Sequence, residues 1–237
     1  MQLFYGEQED ERIVLSAEEA QHADKVLRKR PGDIIHVCNG QHTLFTVQLE
    51  SISSKRAIGL IKDRQDSFGR VPGHLSLAIA PTKNMDRLEW AVEKGVELGV
   101  SSFHLILCER SERKHASEGR LQKIALAAAK QSVKGHVPRV HSLTPWSNFV
   151  QQWGSHYGKK GMAHCMELPK QTLGQWNPPP FEKTLVVIGP EGDFTPKEWD
   201  LAAASSFQGL SLGSSRLRTE TAAVQIAAVL MNAWDKQ

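Results

Sequence analysis

Little in this chain is built for the extracellular space or for a membrane. Its 237 residues include only three cysteines, Cys38, Cys108 and Cys165, which lie far apart with no Cys-x-x-Cys pair. That spacing excludes a disulfide framework and predicts unpaired, buried thiols in a reducing compartment. No apolar run approaches the roughly 20 residues a membrane helix needs. The N-terminus turns acidic at Glu7–Glu11 and has no signal-peptide core, so a cytoplasmic location is expected. Neither a Gly-x-x-x-x-Gly-Lys-Ser/Thr loop nor a Gly-x-Gly-x-x-Gly loop is present, which argues against a nucleotide triphosphatase and a nicotinamide enzyme. The ten histidines show no metal-ligand spacing, and no metal is expected.

Net charge is also small, +3, but it is unevenly placed. Between His104 and His141 stand eight Lys/Arg against three Glu, and Lys25 with Arg28-Lys-Arg30 forms a second cluster. Single surface lysines are ordinary. Two separate clusters point to a phosphate backbone, where each neutralised phosphate releases a counterion. Lys25, Arg28, Arg30, Arg110, Arg113, Lys130 and Lys134 are the candidate nucleic-acid contacts.

Residues 1–70 read as a small β-rich unit. Ser16-Ala-Glu-Glu19 has the form of a capping box opening a short helix. Asp33–Val37 and Thr43–Leu49 flank Asn39-Gly40, a hairpin signal. Arg56–Ile61 offers a further strand, and a polar stretch ending in Pro72-Gly73 marks a boundary. From His74 to the end, strand and helix patterns alternate: strands at His74–Ala80, Ser102–Cys108, Lys160–Met166, Thr184–Ile188 and Phe207–Leu212, helices at Met85–Leu98, Ser117–Val133 and Thr219–Trp234. Thr195-Pro-Lys-Glu198 opens another helix. Such alternation predicts an α/β domain, a mostly parallel sheet with helices on both faces.

Two segments of this second part carry the chemistry: Ile188-Gly-Pro-Glu-Gly-Asp-Phe194 and Leu212-Gly-Ser-Ser-Arg-Leu-Arg-Thr-Glu-Thr-Ala222. Each follows a predicted strand and leads into a predicted helix, the place where ligands settle in open α/β sheets. Glycines 189, 192 and 213 would let main-chain amides approach a ligand, although each one singly is also explained by a turn. Glu191, between glycines, is equally suited to a ligand or to capping amides. The Arg216, Arg218 and Glu220 cluster could also be a surface ion pair of roughly 0–1 kcal/mol. The residues thus predict a soluble ligand-binding α/β domain beside a basic β-rich partner, without naming the ligand.

These two segments, with His22-x-x-x-Val26-Leu-Arg-x-x-x-Gly32-Asp33, Lys94-Gly-Val-Glu-Leu-Gly-Val100, Glu109-Arg110-Ser111 and Gln131-Ser132 with Pro138, resemble the RsmE-like family of 16S ribosomal RNA uridine-N3 methyltransferases, of the SPOUT class. The resemblance implies a PUA-like RNA-binding domain (1–70) and a SPOUT methyltransferase domain (74–237) with a C-terminal trefoil knot and homodimeric assembly. It implies S-adenosylmethionine as methyl donor and the small ribosomal subunit's RNA as partner. By that likeness the donor is held by Ile188, Gly189, Pro190, Glu191 and Gly192, and by Leu212, Gly213, Arg216, Leu217, Arg218, Thr219, Glu220 and Thr221. His164 and Met166 form a third wall. Arg110 or Arg218 would steady the imide anion, and Glu191, Glu220 or water would take the proton. The chain departs from the family pattern with Asp193 in place of a glycine, an arginine shifted to position 216, and Lys134 for an arginine. Competing readings are a knotted enzyme acting on ribose 2′-oxygen or another base, and an RNA-binding assembly factor without catalysis.

Overall fold

The computed structural model describes residues 2–236 and divides into two units. The first takes in residues up to 70 and also residues 129–137. Its strands are β1 (Leu3–Glu9), β2 (Arg12–Leu15), β3 (Ile34–Cys38), β4 (Thr43–Ile52) and β5 (Ala57–Asp66), with a short helix α1 (Ala17–Gln21) after β2. They close into a barrel in the order β1-β2-β5-β4-β3, sealed by a parallel β1–β3 pairing. Period-two alternation along β4 turns Phe45, Val47 and Leu49 inward, where they meet Phe4, Ile13, Leu15, Ile35 and Val37. The predicted Asn39-Gly40 turn forms: Asn39 Oδ1 accepts the amides of Gln41 and Thr43 at 2.8 and 3.1 Å, and Gly40 takes φ +72°. The predicted capping box is only half made. Ser16 Oγ accepts the Glu19 amide, but the Glu19 carboxylate is buried in an ion pair with Lys130 instead.

The segment 129–137 joins this barrel through its main chain. Gly135 O accepts the His42 amide at 2.6 Å and the Cys38 thiol at 3.3 Å, and Lys134 O accepts the Tyr5 hydroxyl at 2.6 Å. A Cβ at residue 135 would lie 1.8 Å from Phe68 O, so only glycine fits.

The second unit is residues 71–128 and 138–236. In chain order it holds β6 (His74–Ile79), α2 (Met85–Leu98), β7 (Ser102–Leu107), α3 (Glu118–Gln131, its end in the first unit), β8 (Arg139–Pro145), α4 (Trp146–Trp153), β9 (Lys159–Ala163), β10 (Gln171–Thr172), α5 (Leu173–Trp176), β11 (Lys183–Ile188), α6 (Pro196–Ala204), β12 (Gln208–Ser211) and α7 (Thr219–Trp234). Seven strands run in the order β10-β12-β9-β11-β6-β7-β8, and every pairing among them is parallel. Being covered on both faces, β6 and β11 are apolar almost throughout. One core lies under α4 and α6 and gathers Trp146, Phe149, Phe194, Phe207 and Met162; α7 packs on α2 and on β6 and β11. The α/β class is as the sequence predicts. The expected strand Lys160–Met166 stops at Ala163, which leaves His164 and Met166 in the loop beyond it. Cys38 and Cys108 are buried as expected, whereas Cys165 is exposed, because that loop has left the sheet.

Candidate active site

The carboxyl ends of β12, β9 and β11, adjacent in the sheet, open onto one cavity of about 610 Å³. Its walls are residues 163–165 and 170 after β9, residues 188–191 and 193 after β11, and residues 210–219 with Ala222 after β12. Parallel strands direct their loops the same way, so three successive loops converge above the sheet edge, where α/β proteins bind ligands.

Hydrogen bonds tie these loops to one another. Thr219, in the first turn of α7, donates its hydroxyl to Gly189 O at 3.1 Å, and Arg216 Nη2 donates to Glu191 O at 3.3 Å. Asp193 Oδ2 accepts the Cys165 amide at 2.8 Å. Gln225 on α7 donates to Leu212 O at 3.0 Å. Behind the β11 loop, Arg110 Nη1 donates to Gly192 O at 3.0 Å and to Phe194 O at 3.3 Å. Glycine is required here by packing: a Cβ at Gly189 would press within 2.9 Å of the Phe194 ring, and one at Gly209 within 2.8 Å of His164 Nε2.

Several polar atoms in the walls lack partners. Glu191 Oε1 accepts the Lys83 amide at 3.0 Å, but its Oε2 is buried without a hydrogen bond. His164, tilted against the Trp199 ring at 4.9 Å, is 7% exposed and neither ring nitrogen is hydrogen bonded. Burial holds its pKa below the usual imidazole value, reinforced by Lys170 and opposed by Asp193 and the Met166 main chain. Buried polar atoms normally find partners, and these belong to residues that line the cavity.

The cavity brings together His164, Ile188, Gly189, Pro190, Glu191, Leu212, Gly213, Arg216, Leu217, Arg218 and Thr219 of the expected donor set. Met166, Gly192, Glu220 and Thr221 are not in its walls. Glu220 is buried in α7 and ion-paired with Arg87 at 3.7 Å. Lys170, Asp193, Leu210, Ser211, Ser214 and Ser215 line the cavity without belonging to that set. Asp193 was noticed only as a departure, and spacing gave no sign that the β9 loop would bend to meet it.

The candidate RNA contacts divide. Lys25, Arg28 and Arg30 are exposed on the first unit, beside a π-helical turn at His22–Val26. Lys130 is engaged with Glu19, and Lys134 lends its carbonyl to Tyr5. Arg113 donates to the carbonyls of Thr82 and Lys83 at 2.8–3.2 Å, bracing the β6–α2 loop. No group of three or more His, Cys, Asp or Glu among the described residues is placed to hold a metal, and no helix is long and apolar enough to cross a membrane.

Comparison with known proteins places this arrangement. The RNA methyltransferase domain family matches residues 70–231, and the RNA methyltransferase PUA domain matches residues 15–62. Ribosomal RNA small subunit methyltransferase E of Bacillus subtilis is 27% identical over 219 residues, 88% of this chain and 85% of that protein. The crystal structure of a probable rRNA methyltransferase from Porphyromonas gingivalis superposes with a TM-score of 0.87 at 31% identity, covering 100% of this chain and 99% of that one. The ribosomal RNA small subunit methyltransferase E of Neisseria gonorrhoeae, solved bound to S-adenosyl methionine, gives 0.84 at 27% identity, covering 99% and 98%. With a matched domain over most of its length, a barrel in the PUA position and a cavity at the carboxyl edge of an all-parallel sheet, this chain belongs to the RNA methyltransferase family.

Proposed function

We propose that the protein is an S-adenosylmethionine-dependent methyltransferase acting on N3 of a uridine in small-subunit ribosomal RNA. The observation that carries this reading is the cavity formed by the loops after β9, β11 and β12. Its size falls in the usual ligand-pocket range. Its lining suits an amphipathic nucleoside: apolar Ile188, Leu210, Leu212 and Leu217, open main chain at Gly189 and Gly213, and unpartnered polar atoms on Glu191 and His164. Acidic Glu191 and Asp193 suit a cationic centre. The names and the bound ligand of the relatives agree with donor and RNA class.

S-adenosylmethionine supplies a methyl group already activated by its sulfonium. The protein's task is then to hold the acceptor in line and to make N3 nucleophilic. N3 is an imide nitrogen whose proton must leave before its in-plane lone pair can attack. Arg218, in the cavity wall, is the cation placed to favour the resulting anion, while Arg110 holds the β11 loop from behind. Glu191 Oε2, fixed through Oε1 and otherwise unpartnered, is the group to receive the proton; Glu220 is turned away into its pair with Arg87. Knotting, homodimerisation through the C-terminal unit and a cytoplasmic location are parts of the same proposal. All three are supported by the family resemblance, and knotting also by the return of β12 beside β9, outside β11.

Calorimetry and mass mapping test it together. The protein should bind S-adenosylmethionine, and ribosomal RNA from cells lacking it should lose one N3-methyluridine. Glu191→Gln should bind the donor yet transfer methyl groups about 10²-fold more slowly. A lost 2′-O-methyl mark instead would favour the ribose reading, and no donor binding would favour an assembly factor.

A further inference from the structure

The residue that departs from glycine at the exit of the β11 loop is an acidic side chain joining two walls of the cavity. Asp193 adopts φ +59°, the left-handed region where glycine costs nothing and a side chain costs of order 1 kcal/mol. Its amide closes a tight turn onto Pro190 O at 2.9 Å. Its Oδ2 accepts the Cys165 amide at 2.8 Å, and the residue lines the cavity. A glycine would make the same turn without strain, but it would give neither the cross-link nor the charge. Only one carboxylate oxygen is used by the cross-link, and no basic side chain is hydrogen bonded or ion-paired to Asp193 among the interactions seen. Lys170 serves Met166 O at 2.9 Å and Arg216 serves Glu191 O. The negative charge is therefore held in the wall by a backbone clip, in a lining that also carries the charges of Lys170, Arg216 and Arg218, none of them paired to it.

We propose that Asp193 is a specificity-determining residue that makes the cavity prefer the positively charged donor over its neutral product. This rests on the donor reading above. S-adenosylmethionine carries a sulfonium, an ammonium and a carboxylate, so it has one net positive charge. S-adenosylhomocysteine differs by loss of the methyl group and of the sulfonium charge, and shape scarcely separates them. A fixed carboxylate in a partly desolvated wall separates them by Coulomb attraction. It favours loading of donor and release of product after each turnover, which relieves product inhibition without any moving part.

The test is calorimetric binding of both compounds to the full-length protein and to two variants. Asp193→Asn keeps the left-handed conformation and an oxygen for the Cys165 amide, but removes the charge; Asp193→Gly removes both clip and charge. Asp193→Asn should lower the donor-over-product preference roughly tenfold at low salt, by weakening the donor alone. In the unaltered protein the preference should shrink as salt is raised. Asp193→Gly should show the same lost preference, with weaker binding of both compounds. An unchanged preference in Asp193→Asn overturns the proposal, as does a loss seen only in Asp193→Gly, which would make the clip and not the charge responsible. An unaltered protein that binds neither compound overturns the donor reading itself, and this inference with it.

Discussion

His104 shows how a single buried side chain can govern acid stability away from the cavity. It is 1% exposed on β7, stacked on His141 at 4.3 Å with Nε2 against the Tyr157 hydroxyl at 2.9 Å, and its Nδ1 has no partner. Burial, with smaller contributions from His141, His156 and His74, lowers its pKa to about 3. The unfolded chain takes up a proton near pH 6.5, whereas the folded protein does not until far lower. Stability is therefore complete above pH 6.5 and is lost as pH falls from there toward 3, by about 1.4 kcal/mol for each pH unit. His141, whose pKa is also lowered, mainly by burial, adds to the slope. Thermal melts between pH 7 and 5 should show a falling midpoint, and His104→Asn should shrink that fall; an equally steep decline in the variant would clear His104. Sequence spacing predicted no metal from these histidines, but it could not see them stack, since His104 and His141 meet only through the β7–β8 pairing.

At the scale of elements, the N-terminus of α6 is the best-secured junction near the site. The capping box predicted from Thr195-Pro-Lys-Glu198 is complete: Thr195 Oγ1 accepts the Glu198 amide at 3.3 Å and Glu198 Oε2 accepts the Thr195 amide at 2.8 Å. The structure adds what spacing could not show. Glu198 Oε1 also accepts the Glu109 amide at 2.8 Å, and its carbonyl accepts Trp146 Nε1 at 3.1 Å. One buried carboxylate thus fixes the helix start and the turn carrying Arg110. Glu198→Ala should cost about 2–3 kcal/mol in denaturant unfolding, while Glu198→Gln, which keeps acceptors, should cost less; equal costs would show that the helix start carries little. Elements with strong punctuation were legible in this way: the Asn39-Gly40 hairpin, α2 and α7. β1, β2, β8 and α4 were not identified. β1 is buried only in its first half and β2 has four residues, so neither shows a full alternation. β8 and α4 adjoin directly at Pro145/Trp146, with no glycine or polar gap between them to mark a change of period.

For the whole molecule, the two expected functions fall in separate units: a cavity in the second and the exposed Lys25, Arg28 and Arg30 on the first. If these cations grip phosphates, Arg28→Ala should weaken RNA binding and reduce its salt slope by about one while leaving S-adenosylmethionine affinity unchanged. An unchanged slope would remove Arg28 from the interface. Lys130 and Arg113, engaged with Glu19 and with main-chain carbonyls, should instead reveal themselves through lost stability. Counting charges along the chain could not separate the two groups, because a lysine's partner is decided by folding. The two glycine-bearing loops and His164 all line the cavity, whereas Met166 lies outside its walls, because the strand ends earlier than its apolar run.

The pairing of strands also sets a timetable for the nascent chain. Leu75 waits for Thr184 as its neighbour, and Gly161 for Gln208, so the middle of the sheet stays open-edged until late in synthesis. Every wall of the cavity lies beyond residue 162. A polypeptide still emerging from the ribosome therefore lacks the walls that would hold its cosubstrate until residues 163–222 have been made.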